Sequence, residues 1–440
     1  MRWGGLPISW ILLAGCGAGP APPAAKDQGS DADSDSNGDT DADSDVGSES
    51  GSGGSDSGSA SDSDSSPGEE ELDLGPDARP SDYPEADEWT NTENTLDADD
   101  PCCELVGEPI PLDASAAGRP PAIAVDWNAA EWGVAFTPLG FQAIDSLGNP
   151  IDIPNWTAAG FDHVRMTWGF DRYGAAIDDF RSDGQIVLLD REGDAVTDIV
   201  ALDPDARLPD LAWHTHGQGW VVSYCDDAGR VGAVWMDADS ALGEAASIGT
   251  GALSYRSRPL SVVALRSRAA VAWSTEGGVL FRSFAGREAA DAPPEWEVSP
   301  QDSQVDAAAY RDSVALALAD VNYASSLDVV LVDPWTDEIV AGPQTVTRDV
   351  FQANAAIVAA EERGFLGICH SSIMLDGAGG ERIDVLLVGP DATSWGGSVL
   401  VREGLAHQRG CAIAWSGAEF LVVYVDDSGA PVAQRVRPLL

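Results

Sequence analysis

The chain has 440 residues, of which 73 are Asp or Glu and only 24 Lys or Arg, for a formal net charge of −49. That balance excludes a nucleic-acid-binding role, which needs a basic surface. Hydrophobic residues at 44% still leave room for a large core. The charge is uneven: 25 of the acids lie between residues 27 and 100, where Arg79 is the only base.

The chain opens MRWGGLPISWILLAGC, with one early charge at Arg2, an apolar run, then small residues before Cys16. From Leu6 to Ala14 the run is about half the ~20 residues that span a hydrocarbon core, so residues 1–15 read as a cleaved export signal. Leu13-Ala14-Gly15-Cys16 resembles the lipobox of bacterial lipoproteins. That resemblance implies acylation of Cys16, and Gly17 after it implies sorting to the outer membrane. Each acyl chain adds roughly 0.8 kcal/mol per buried CH₂, so a multiply acylated Cys16 is a durable membrane anchor.

Residues 16–100 continue as an Asp/Ser/Gly-rich stretch with almost no aliphatic residues. Such a segment cannot bury enough apolar surface to offset its ordering entropy, and is expected to be a disordered, self-repelling tether. Asp33 to Asp39 matches the first half of a calcium loop, but Ser44 stands where a bidentate Glu is required. No metal or cofactor is therefore expected.

From residue 101 to 440 the pattern changes to short β-rich runs that recur. Aligned on the start of the second strand, the units begin at Trp132, Tyr173, Trp220, Ala269, Ser313, Phe365 and Phe420, with gaps of 41, 47, 49, 44, 52 and 55 residues. An apolar first strand precedes each: AIAVDW, HVRMTW, PDLAWH, LSVVAL, VDAAAY, AAIVAA and CAIAWS. This period, at about four strands per unit, predicts an all-β seven-bladed propeller. The last unit stops after its third strand, PVAQRVRPLL. Residues 107–112 (GEPIPL) parallel residues 148–153 (GNPIDI), the start of the first unit's fourth strand. The N-terminal segment is thus expected to supply the missing outer strand of blade seven and remove its open edge.

The whole chain is similar to bacterial outer-membrane lipoproteins that carry a seven-bladed propeller on an acidic tether. That resemblance implies a periplasmic or cell-surface module and no particular activity.

Five blades place an acid where the second strand ends: Asp179, Asp226-Asp227, Glu276, Asp320 and Asp426-Asp427. Carboxylates gathered round a concave mouth would raise one another's pKa and attract cations or basic segments. Asp also begins β-turns by accepting a nearby backbone N–H, and Asp-Asp-x-Gly at 226–229 and 426–429 suits that plainer role. His214 and His216 have a zinc-like spacing but no third ligand nearby, and His370 beside Cys369 lacks an adjoining acid. Of the five cysteines besides Cys16, Cys369 and Cys411 fall on adjacent blades at one face and are the expected disulfide. Cys102 and Cys103 could bridge each other or another chain, leaving Cys225 free.

No nucleophile, base and orienting group assemble from these motifs. The expected function is a membrane-anchored, monomeric propeller that binds an envelope protein or glycan without catalysis. The alternative is a polysaccharide hydrolase or lyase working through mouth carboxylates.

Overall fold

In the computed structural model of the chain, the described residues are 78–440, apart from residue 83 and the stretches 113–121, 138–139, 152–162, 179–183, 253–258, 286–294, 301–302, 321–325, 349–350, 374–379 and 406–409. The signal segment, Cys16, the calcium-like tract and the tether to residue 77 lie outside the described residues.

Seven antiparallel sheets form seven blades. The second strands are Glu131–Phe136, Arg172–Asp178, Gly219–Asp226, Arg268–Thr275, Ser313–Asp320, Phe365–Ile373 and Phe420–Val425, so every predicted anchor falls at or next to a strand start. These strands are almost wholly buried, because each blade packs both faces against its neighbours. The clusters confirm it: one joins Val134 and Phe136 of blade one to Leu421 and Val423 of blade seven.

Closure follows the sequence expectation. Cys103–Pro111 pairs antiparallel with Pro431–Pro438 at the edge of blade seven, with Cys103 opposite Pro438 and Pro111 opposite Val432. The register slips between Val106 and Ile110, at Gly107, whose φ of 71° suits a residue without Cβ. The parallel with residues 148–153 is visible too, since Gly148 is also left-handed and Ile151 donates its N–H to Ala143. Blade one is described with three paired strands and one bridge from Ile144 to Pro150; its fourth strand beyond residue 151 falls outside the described residues.

Composition places residues 78–100 in the tether, but in the structure they form a strap laid across the propeller. Ser267 on blade four donates its hydroxyl to the Ala78 carbonyl, and Arg79 pairs with Asp333 on blade five at 2.9 Å. Thr90 and Thr92 then donate their N–H groups to Glu362 and Arg363 on blade six, and the Asp100 carbonyl accepts the Gly397 N–H. Averaging over a polar stretch hides the few side chains that anchor it. Arg79 stacks over Trp335, Arg311 over Trp89, and Leu96 packs against a core cluster.

The strap crosses the face bearing the turns between first and second strands, called here the lower face. At that end blades one, two, three and seven carry ring pairs: Trp127/Trp132, Trp168/Tyr173, Trp213/Trp220 and Trp415/Phe420, with centroids 4.6–5.1 Å apart. Blades four and six hold Ala264 and Ala360 at the matching positions. Small residues on that side leave the space the strap occupies.

Candidate functional site

The seven first strands surround a central channel of about 420 Å³, and four of them put a charged side chain into it: Asp126, Arg165, Asp210 and Asp306. The carboxylates hold neighbouring blades together. Asp126 accepts the Trp168 N–H at 2.6 Å, Asp210 the Val262 N–H at 3.0 Å, and Asp306 the Ile357 N–H at 3.0 Å. The Ser261 hydroxyl accepts the Ala307 N–H in the same manner. One position upstream of the predicted rim acid Asp179, Asp178 accepts the N–H of Leu208, a non-glycine residue at φ 49°. The first strands turn an unpaired edge toward the channel, and these side chains satisfy backbone donors of blades two to six across the blade boundary.

Arg165 on blade two reaches across the channel to Asp306 on blade five at 3.0 Å. Burial works against its charge, but Asp306 and Asp210 outweigh it and push the guanidinium pKa above its ordinary value. Burial raises the carboxyls of Asp126 and Asp210, and their N–H donors, with Arg165 for Asp210, only partly offset it.

Toward the lower face the channel opens into a cavity of about 500 Å³, floored by Pro80 and Trp89 of the strap and walled by Arg266, Arg311, Glu361 and Glu362. The two spaces are continuous through Thr215, Ala264, Ala308, Ala309 and Val358. Arg311 clips the floor in place, donating to the Asn91 side chain at 2.7 Å, the Thr90 carbonyl at 2.8 Å and the Glu361 carbonyl at 3.1 Å. The Glu362 carboxylate accepts the Trp415 indole N–H at 2.6 Å.

Burial pushes the Glu361 carboxyl up to about 7; the Arg311 amide opposes this and the Glu362 charge adds to it. A carboxyl raised on folding contributes stability at low pH that is lost as pH rises through its folded value. Between about pH 5.5 and 8 the wild type should therefore lose about 2 kcal/mol, at 1.4 kcal/mol per unit up to the folded value near 7, that a Glu361→Gln variant retains. Thermal unfolding of both across that range checks it; parallel curves would refute the assignment.

The sequence-predicted rim acids take different positions. Asp226 is buried and caps its own turn, accepting the N–H groups of Ala228 and Arg230 at 2.9 and 2.8 Å and the Arg230 guanidinium at 2.5 Å. Asp426 does the same with Ser428 and Ala430. Burial raises both carboxyls, but the turn donors prevail and hold them below the ordinary range. Asp227, Glu276 and Asp427 are exposed. Asp179 lies outside the described residues, and Asp320 ends its strand. Asp226, Asp227, Glu276, Asp426 and Asp427 are not among the described residues that line the channel.

His214 is fully buried, not a surface turn residue: it accepts the Gly217 N–H on Nδ1 and meets the Trp235 ring edge-on. His370 is buried in mid-strand, and burial lowers its pKa. Its neighbour Cys369 is bonded to Cys411, with Cα atoms 6.2 Å apart, so it offers no thiol for nucleophilic chemistry. Cys369 sits inside Phe365–Ile373 rather than at its end, because that strand runs longer than its apolar stretch.

The channel charges escaped the sequence reading although their signal was in view. AIAVDW, HVRMTW, PDLAWH and VDAAAY each carry one charge in a strand otherwise fit for burial on both faces. Such a residue must be paired or hydrogen-bonded.

No protein-family model matches the chain, and no curated protein matches it. Among solved structures, the BP39L lectin from Burkholderia pseudomallei is similar at TM-score 0.56 with 14% identity, over 71% of this chain and 95% of its own. The SapL1 lectin in complex with alpha methyl fucoside aligns at TM-score 0.45 and 12% identity, over 65% and 96%. BamB from Moraxella catarrhalis aligns at 0.39 and 12%, over 71% and 84%. At these identities the first likeness is one of fold.

Proposed function

We propose that this chain is an outer-membrane lipoprotein, anchored through an acylated Cys16, whose monomeric propeller is a non-enzymatic binding or scaffold module for an envelope protein or glycan. One observation carries the binding reading: the channel and turn carboxylates already serve the architecture. Asp126, Asp210 and Asp306 join blades, while Asp226 and Asp426 cap their own turns. A hydrolase of the alternative class needs two carboxylates facing one another across a pocket and available to substrate. The exposed acids Asp227, Glu276 and Asp427 are proposed as the rim that meets a basic segment of the partner.

The test is mild cross-linking in intact cells, followed by detergent purification through the C-terminus and mass spectrometry. A stoichiometric envelope protein or bound glycan, weakened by Asp227→Lys with Glu276→Lys, supports the reading; cleavage of a supplied polysaccharide by the purified protein overturns it. Cys16→Ser should shift the protein from the membrane to the soluble fraction, and continued membrane attachment would sink the anchor.

A further inference from the structure

The strap runs into the closing strand through two consecutive cysteines. Cys102 ends the strap: its N–H donates to Gly397 at 2.8 Å and its carbonyl accepts from Leu439 at 3.0 Å. Cys103 opens the closing strand opposite Pro438. Both side chains are buried, and their sulfurs stand 3.1 Å apart, about 1 Å from the roughly 2.05 Å of a disulfide.

The other cysteines are accounted for elsewhere. Cys369 and Cys411, in the same core cluster, are bonded to each other. Cys225 lies in a different cluster, and burial, with help from the Asp178 and Asp226 charges, pushes its thiol up to about 12.

We propose that Cys102 and Cys103 form a vicinal disulfide in an oxidising environment, and that this bond locks the end of the strap onto the propeller. The inference draws its oxidising compartment from the export reading above. The chemistry needs an oxidant with a disulfide of its own, either a protein disulfide oxidase or oxidised glutathione. The Cys102 thiolate attacks one sulfur of that disulfide, forming a mixed disulfide and releasing the first thiol. The Cys103 thiolate then attacks the Cys102 sulfur and displaces the second. Two electrons and the two cysteine protons end on the oxidant's thiols. Because both sulfurs are buried in the closed blade, the exchange belongs to folding, and the finished bond is sheltered from reductants. The bridged loop is minimal, so the bond adds little through chain entropy. Its effect is local: it fixes the chain where the strap bonds to Gly397 and Leu439.

The experiment uses the full-length Cys16→Ser protein, refolded in a glutathione redox buffer, denatured, alkylated without reduction and digested. The expected peptide spanning Cys102 and Cys103 is unalkylated and lighter by two hydrogens, while Cys225 is alkylated. Alkylation or glutathionylation of both residues with Cys369–Cys411 intact overturns the proposal. The same assay on protein taken directly from cells addresses export separately: alkylation of Cys102, Cys103, Cys369 and Cys411 together there counts against the compartment, not the chemistry. Limited proteolysis reads the lock. Cleavage within residues 78–101 should be several-fold faster in protein refolded under reducing conditions than in the oxidised protein, and Cys102→Ser with Cys103→Ser should be cleaved fast in either buffer. Equal rates for the oxidised wild type and the double variant would overturn the locking role.

Discussion

Deleting residues 101–112 is expected to lower the unfolding temperature of the propeller by more than about 10 °C. The deletion strips the outer strand from blade seven and exposes the backbone edge of Pro431–Pro438. It also removes Ile110 and Leu112 from the cluster that joins blades seven and one. Each of those buried side chains contributes about 1.5–3 kcal/mol. Further losses come from the ladder itself, from Gln434 donating to the Val106 carbonyl, and from Glu104 paired with Arg437 at 3.0 Å. A total above about 5 kcal/mol is a large share of the 5–15 kcal/mol by which domains are usually stable. At roughly 2–4 °C per kcal/mol the shift should be evident by calorimetry. An unchanged transition would refute closure by this strand.

Arg165→Met should be the most damaging single substitution in the channel, costing about 3–5 kcal/mol. The wild-type guanidinium neutralises Asp306 directly and stabilises Asp210 electrostatically. Without it the two buried carboxylates lose their shared cation, and each must lose its charge or carry it uncompensated by Arg165. The added penalty falls on the ionised form of Asp210, whose carboxyl burial already raises, so the variant's deficit should shrink as pH is lowered. Combining Arg165→Met with Asp210→Asn and Asp306→Asn should recover much of the loss, because amides cost far less to bury than charges. Equal stability of wild type and Arg165→Met at pH 8 would mean the cross-channel pair is solvated and structurally idle.

The two experiments probe features of unequal visibility in the chain. The closing strand was legible because it is a local matter: an incomplete last repeat, and GEPIPL echoing GNPIDI. The cross-channel pair was not, since Arg165 and Asp306 are far apart in the chain and meet only when seven blades close a ring. The turn acids show a third case. Asp-Asp-x-Gly states its capping role within four residues, and Asp226 and Asp426 fill it, yet the same residues read as a column suggest a binding rim. The strap was hidden for a different reason, because Arg79, Trp89 and Leu96 are too sparse to register against the surrounding acids.

The sequence by itself therefore determined the blade count, the starts of the second strands and the closing strand. These rest on hydrophobic periodicity and repeat length, which act over a few residues. Only the tertiary structure decided which side of the ring the strap covers and which charges share the channel. Those depend on distances between segments far apart in the chain, and ring closure alone sets such distances.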